Sequence, residues 1–366
     1  MRNKKIIWSL IAAVIIVGGV LWWNQNAGPA AGEVVKVGVI VPLSGESAVF
    51  GEKFRNGIEI ARQGFPADRL EIIYEDSRGV EAKGAITAYY KLVSADKVDL
   101  IFGPFGPEQT LALAPLAEES GLPIFAFSLC DPRFAEYKVV FCSFPSTEDT
   151  IKTGLDKIKE LGLKRIYSVT HQAEPGLVFE EVIKSSQTSY GYEIVGADKI
   201  SITDYDYRTA ITKLKQAKPD AVYLYLFPEP GHIFLTQLKQ LQFKNGVVFA
   251  SLDTTEERLQ SLGDVAEGVY FPGFLPTDYE SSFQTQYQNR YNSEPDLYAA
   301  LGQSVAMTVF ETLTDNRWNK NKLLDSTPDF QSPKAALGGF HFKSDHTVSI
   351  PQSVFIFRDG KFGELT

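Results

Sequence analysis

Hydrophobic positions along this chain fall into two regimes. Ile6 to Trp23 is a single apolar stretch of 18 residues without a charge. From Val35 onward, short β-branched runs alternate with stretches whose apolar residues recur every three or four positions. The short runs predict strands buried on both faces of a parallel sheet, and the longer periodicity predicts amphipathic helices. Val35 to Val41 (VKVGVIV), Leu70 to Glu75, Leu100 to Gly103 and Pro123 to Ser128 read as strands. Between and after them, Phe50 to Gln63, Ala82 to Ser94 and Pro107 to Ser120 read as helices. Pro107 suits a first helical turn and Gly121 a helix C-terminus.

A second series starts after Phe144. Asp149 to Leu161, Val178 to Tyr190, Tyr207 to Gln216 and Ile233 to Leu241 carry helical spacing. Arg165 to Thr170, Glu193 to Lys199, Ala221 to Phe227 and Val247 to Ser251 are the intervening strands. Asp278 to Tyr291 and Tyr298 to Thr314 predict two further helices, and Gly339 to Phe342 with Ser353 to Arg358 a closing strand pair. Two successive βαβα series imply an α/β protein of two doubly wound parallel-sheet lobes.

The leader needs a separate account. As a helix, 18 residues reach ~27 Å, close to a hydrocarbon core of ~30 Å. Arg2, Lys4 and Lys5 precede it, which keeps that end in the cytoplasm and sends the body outside. Residues 1–23 are thus a membrane anchor or a signal segment. The apolar length and Trp22 and Trp23 favour retention, whereas Gly28 and Ala30, or Ala30 and Gly32, offer a small-x-small cleavage site. Residues 24–34 read as a short linker.

Composition narrows the chemistry. Without the three leader cations, 33 Lys and Arg face 45 Asp and Glu, a balance that disfavours nucleic acid. Two cysteines exclude a multi-disulfide scaffold and a four-thiolate zinc site. No phosphate-binding loop, dinucleotide turn or G-x-S-x-G elbow occurs, and His171, His232, His341 and His346 lack the spacing of a helical metal pair. No cofactor is expected, and binding is expected rather than catalysis. Ligands of doubly wound sheets collect beyond the C-terminal strand ends.

Three segments, VKVGVIVPLSGESAVFGEKFRNGIEIA, IYEDSRGVEAKGAITAYYKLVSADKVDLIFGPFGPEQTLALAPLAEESGLPIFA and DYDYRTAITKLKQAKPDAVYLYLFPEP, together resemble the leucine/isoleucine/valine-binding family. That family comprises extracytoplasmic solute-binding proteins of ABC importers. The resemblance implies a type I periplasmic-binding-protein fold with two lobes joined by three crossovers, near Ser143 to Thr147, Phe271 to Leu275 and Leu337 to Gly339. The N-terminal lobe would hold residues 35–145 and 274–337, and the C-terminal lobe 146–273 and 338–366.

Carried onto this chain, the resemblance implies the following solute contacts. Phe50 takes the place of an aromatic against the solute, or is simply a core aromatic at a helix start. Phe105 and Gly106 replace the family's hydroxyl residues after the third strand, and Ser128, Leu129 and Cys130 follow the fourth. Cys130 stands where a threonine holds a carboxylate, and a thiol is the poorer donor. In the second lobe Ala173 and Glu174 stand where the family has a stacking tyrosine, and Phe227 takes another aromatic place. Asp253 matches the acid that pairs with an ammonium, or caps the helix at Thr254. Tyr298 matches a further cleft aromatic or packs at the lobe interface. Gln109 and His171 are further polar candidates.

With the carboxylate clamp degraded, the expected solute is small and amino-acid-like, or bears an amide or amine. Expected partners are that solute, ABC permease subunits and, through the leader, the membrane, with the protein a monomer. The alternative is a ligand-sensing ectodomain with a separate signalling partner. Cys130 and Cys142 enclose an eleven-residue loop and are either bridged in the oxidising compartment or two separate thiols.

Overall fold

The computed structural model describes residues 34–172, 174–201, 203, 205–244, 246–252, 263–273, 279–359 and 361–364. The leader Ile6 to Trp23 therefore lies outside the described residues. Among those described, no helix is long and apolar enough to cross a membrane.

In the first half, β1 (Val35–Val41), α1 (Ala48–Arg62), β2 (Leu70–Asp76), α2 (Ala82–Lys91), β3 (Leu100–Phe105), α3 (Pro107–Ser120), β4 (Ile124–Leu129) and β5 (Val140–Phe144) follow one another. The chain continues through α4 (Thr147–Glu160), β6 (Arg165–His171), α5 (Glu174–Ser185), β7 (Glu193–Ile200), α6 (Arg208–Ala217), β8 (Ala221–Leu226), α7 (Pro228–Gln240), β9 (Val247–Leu252) and β10 (Tyr270–Gly273). Next come α8 (Ser281–Tyr291), α9 (Leu297–Asp315), the two-residue strands β11 (His341–Phe342) and β12 (Val348–Ser349), β13 (Ser353–Arg358) and β14 (Lys361–Glu364).

The first sheet has the order β2-β1-β3-β4-β5 and is parallel throughout. The second runs β14-β13-β10-β9-β8-β6-β7. Read from β7, its parallel part repeats the same pattern of winding, and β13 and β14 extend it antiparallel.

Period-two alternation sorts each strand between two cores. In β1, Val35, Val37, Val39 and Val41 point to one side, where α1 and α9 cover them, and Ile40 points to the other, under α2 and α3. β3 does the same with Leu100 and Phe102 against Ile101, and β4 with Phe125 and Phe127 against Ile124 and Ala126. In the second sheet Val222, Leu224 and Leu226 of β8 face one core, and Ala221 and Tyr223 the opposite one. Both faces being covered explains why these strands read as unbroken apolar runs.

Some strands escape the periodicity. β5 and β10 are short and lie in what the pattern suggests are connections; β5 is defined by its pairing with β4, and β10 by its pairing with β9 and β13. The expected closing pair does not form either. β11 pairs with β12, and β13 pairs with β10 and β14. Arg358 opposes Lys361 across Asp359-Gly360, and Asp359 has φ 52°, the left-handed conformation that such a two-residue hairpin requires. Phe340, Phe342, Val348 and Ile350 all pack into the first sheet's core with Phe125 and Phe141. The chain therefore returns to the second sheet between Ile350 and Ser353, later than the exchange expected near Leu337 to Gly339. Residues 338–350 lie with the first sheet instead of the C-terminal lobe. Aromatic side chains that fill an existing core outweigh the pairing that a short strand could make.

Candidate functional site

In each sheet the winding reverses beside its first strand, between β1 and β3 and between β6 and β8. Loops leaving adjacent strands part there and open a crevice at the C-terminal edge.

In the first sheet that crevice is walled by rings. Phe50 lies in the first turn of α1, Phe105 ends β3, and Tyr298 lies in the first turn of α9. The Phe50 ring stacks on Phe105 at 5.8 Å and meets Tyr298 at 4.8 Å. All three are half-buried. Beneath them Phe54, fully buried, touches Phe105 at 5.7 Å and Tyr298 at 5.5 Å, and stacks on Phe127 at 4.0 Å. Phe144, at the start of the first connection between the sheets, is 6.3 Å from Tyr298. Aromatic pairs of this kind add ~0.5–1.5 kcal/mol each beyond their burial, which makes the wall rigid.

This wall exists because α1 and α9 approach closely. A Cβ on Gly57 would lie 1.9 Å from the Ala299 carbonyl oxygen, and one on Gly302 would lie 2.4 Å from that of Phe54. Glycine at both positions brings the two helices, and with them Phe50 and Tyr298, into contact.

Several polar groups beside the wall are occupied within the protein. Gly106, with φ 86°, donates its N–H to the Phe127 carbonyl at 2.9 Å and accepts from the Thr110 hydroxyl at 2.8 Å. Pro107 follows it and has no N–H to offer. Ser128 is 2% exposed and its hydroxyl donates to the Leu129 carbonyl at 3.0 Å. Leu129 itself is 38% exposed at the strand end. Cys130 and Cys142 are joined as a disulfide with Cα atoms 5.2 Å apart. The expectation that Cys130 could donate weakly to a carboxylate is therefore corrected, because a bridged sulfur carries no S–H. Gln109 is fully buried; its amide nitrogen donates to the carbonyls of Gly79 at 2.8 Å and Glu81 at 3.1 Å and so ties a loop down, while its Oε1 has no hydrogen-bond partner among the described residues.

On the second sheet, His171 ends β6 and Phe227 follows β8. Their rings lie parallel, 11° apart in plane, with centroids at 4.1 Å. Tyr225 stands 6.1 Å from His171 and stacks on Phe179 at 5.5 Å. His171 is fully buried, and burial pushes its pKa below the ordinary histidine value. Thr170 donates to the carbonyls of Gly176 and Tyr225, both at 3.3 Å, so this strand end also satisfies its own hydroxyl. Glu174 opens α5. Ala173 and Asp253 lie outside the described residues.

The family resemblance thus pointed to Phe50, Phe105 and Tyr298, which meet, and to Phe227, which meets His171. It missed Phe54, Phe127 and Phe144 as the support of the wall. A signal existed for Phe54, four residues beyond Phe50 on one helical face.

The neutral form of His171 has a measurable consequence. His346 shares it: burial lowers its pKa, partly opposed by a hydrogen bond to the Val140 backbone and by Asp345 and Glu118, and its ring stacks on Phe141 at 4.0 Å. Both groups bind protons less readily folded than unfolded. Their contribution is complete above the unfolded histidine value near ~6.5 and is lost as pH falls below it, by up to ~1.4 kcal/mol per pH unit for each. Thermal melts between pH 7.5 and 5 should show the melting temperature falling. A His171→Phe, His346→Phe double variant should flatten that profile, and an unchanged slope would dismiss the two histidines as its origin.

Two sheets of like winding, each with a crevice at its C-terminal edge and linked by repeated passages of the chain, define a two-lobed binding protein. The chain belongs to the periplasmic binding protein family, whose profile matches residues 34–359. That family comprises binding proteins, not enzymes, and is extracytoplasmic. The chain is 25% identical over 260 residues to Leu/Ile/Val-binding protein homolog 6 of Brucella suis biovar 1 (strain 1330), covering 68% of this chain. It spans 66% of that relative's length, just under two thirds. Its fold is similar to that of a branched-chain amino acid ABC transporter periplasmic ligand-binding protein from Burkholderia xenovorans LB400. The TM-score is 0.81 at 15% identity, covering 91% of this chain and 94% of that one. It is also similar to an ABC transporter solute-binding protein of Rhodopseudomonas palustris BisB5 in complex with 3,4-dihydroxybenzoic acid. There the TM-score is 0.72 at 22% identity, with 91% and 96% covered.

Proposed function

We propose that this protein is the solute-binding component of an ABC importer, taking a small amino-acid-like, amide- or amine-bearing solute between its lobes. The observation that carries this reading is the pair of crevices, one per sheet, at which Phe50, Phe105 and Tyr298 on one side and His171 and Phe227 on the other collect. Three passages of chain between the sheets suit a hinge, and a solute that touches both walls favours the closed state by its extra contacts. Ala173, Glu174 and Asp253 would complete the second wall, with the two acids facing a cationic nitrogen. The closed pair of lobes would present its outer surfaces to permease subunits as a monomer. The leader would hold it outside the cytoplasm, retained as an anchor at the membrane.

A thermal-shift screen over amino acids, amides, polyamines and short peptides tests the reading. A bound solute at 100 times its Kd should stabilise the protein by about 2.7 kcal/mol, a shift of several degrees. Silence across all four classes would remove it.

A further inference from the structure

From the two walls we infer that the solute offers a flat apolar face of aromatic-ring size and carries no free carboxylate. This rests on the solute-binding reading above and specifies its ligand class: a neutral or amine-bearing aromatic compound.

Three observations converge. The first wall is a supported aromatic platform: Phe50, half-buried, leans on Phe105 and Tyr298, and the fully buried Phe54 backs the latter two. Such rings bind planar, apolar partners through offset or edge-to-face contact. In the second wall, Phe227 has one face covered by His171 in parallel at 4.1 Å, so a ligand would have to meet this ring from the other side. The imidazole behind it is held toward its neutral form by burial, and brings no fixed cation to meet an anion.

The second observation concerns the rims. Val49, in the first turn of α1, is 53% exposed, Leu129 at the end of β4 is 38%, and Leu177, near the start of α5, is 49%. Val49 and Leu129, beside the first wall, extend the same apolar chemistry outward, whereas Leu177 lies among Glu180, Glu181 and Lys184 on the outer face of α5 and adds nothing to the second. The third is the polar inventory. A carboxylate needs several convergent donors. Among the described residues, Ser128 and Thr170 near the ends of β4 and β6 and Thr110 in the first turns of α3 all donate to backbone carbonyls, and the sulfur of Cys130 is bridged. A carboxylate brought there would lose its water and find none of these four groups free to donate, whereas an amide or aromatic amine loses less.

Matched pairs read by calorimetry on the purified full chain test this: benzamide and phenethylamine against benzoate and phenylalanine, and isoleucinamide against isoleucine. Expected is binding of benzamide or phenethylamine at least tenfold tighter than the corresponding carboxylates and the aliphatic pair. Phe50→Ala or Phe227→Ala should weaken it at least tenfold and Phe50→Tyr should restore it, with the unliganded melt monitored to confirm folding. If isoleucine or isoleucinamide binds best, the aromatic class is overturned while the binding role stands. If benzoate or phenylalanine binds best, the exclusion of carboxylates is overturned alone. No binding by any of the six, with the broader screen also silent, overturns the class and the binding role together.

Discussion

Gly57→Val should abolish or severely cripple folding. The added Cβ would sit 1.9 Å from the Ala299 carbonyl oxygen and 2.7 Å from the Gln303 nitrogen, both backbone atoms of a helix that cannot yield locally. Overpacking a core usually costs ~1–3 kcal/mol, but here α1 and α9 must separate along their length, so about 4 kcal/mol or more is expected. The damage would reach the crevice, because Phe50 and Phe54 ride on α1 and Tyr298 on α9. Gly64→Ala is the matched control. Its Cβ would lie 3.5 Å from its nearest neighbour, and the change should stay within about 0.5 kcal/mol. Urea unfolding followed through the fluorescence of Trp318, which belongs to the same core, reads both variants. Equal midpoints for the two would show that the helices are not held by this contact.

Removing the disulfide should produce the second-largest loss. Cys130 and Cys142 close a short loop, and its release adds conformational entropy to the unfolded chain worth about 3 kcal/mol. The bridge also ties the end of β4, with Ser128 and Leu129, to β5, whose Cys142 N–H donates to the His346 carbonyl at 3.2 Å. A Cys130→Ala, Cys142→Ala variant should therefore unfold at lower urea, and the wild type treated with reductant should follow it. Hydrogen exchange should quicken first around residues 127–131. A variant that matches the oxidised wild type in both measurements would show the bridge to be energetically idle.

Much of the fold was legible because each helix and strand of the two series buries both faces of a sheet. Pro107 to Ser120 is expected and observed with the same limits, since Pro107 opens the helix and Gly121, at φ 67°, ends it. Boundaries elsewhere move by a few residues where no such punctuation occurs, as in α7, which begins at Pro228 and not at Ile233. The site was legible only in part. The resemblance pointed to the aromatics and to Ser128, which looks like an available donor in the sequence. Only its hydrogen bond to the Leu129 carbonyl reveals that it is occupied.

By itself the chain determined its local periodicities, its acidic body and the two series of alternating elements, because these depend on residues near one another. Tertiary structure alone decided which strands the short runs β5, β10 and β14 would join, and that residues 338–350 would fill the first core. It decided as well that Cys130 would meet Cys142 and that His171 would lie on Phe227. The physical reason is common to all of these. Each depends on contact between segments remote in the chain, or on a choice among partners of nearly equal local preference, and only the assembled core makes one choice much lower in energy than the rest.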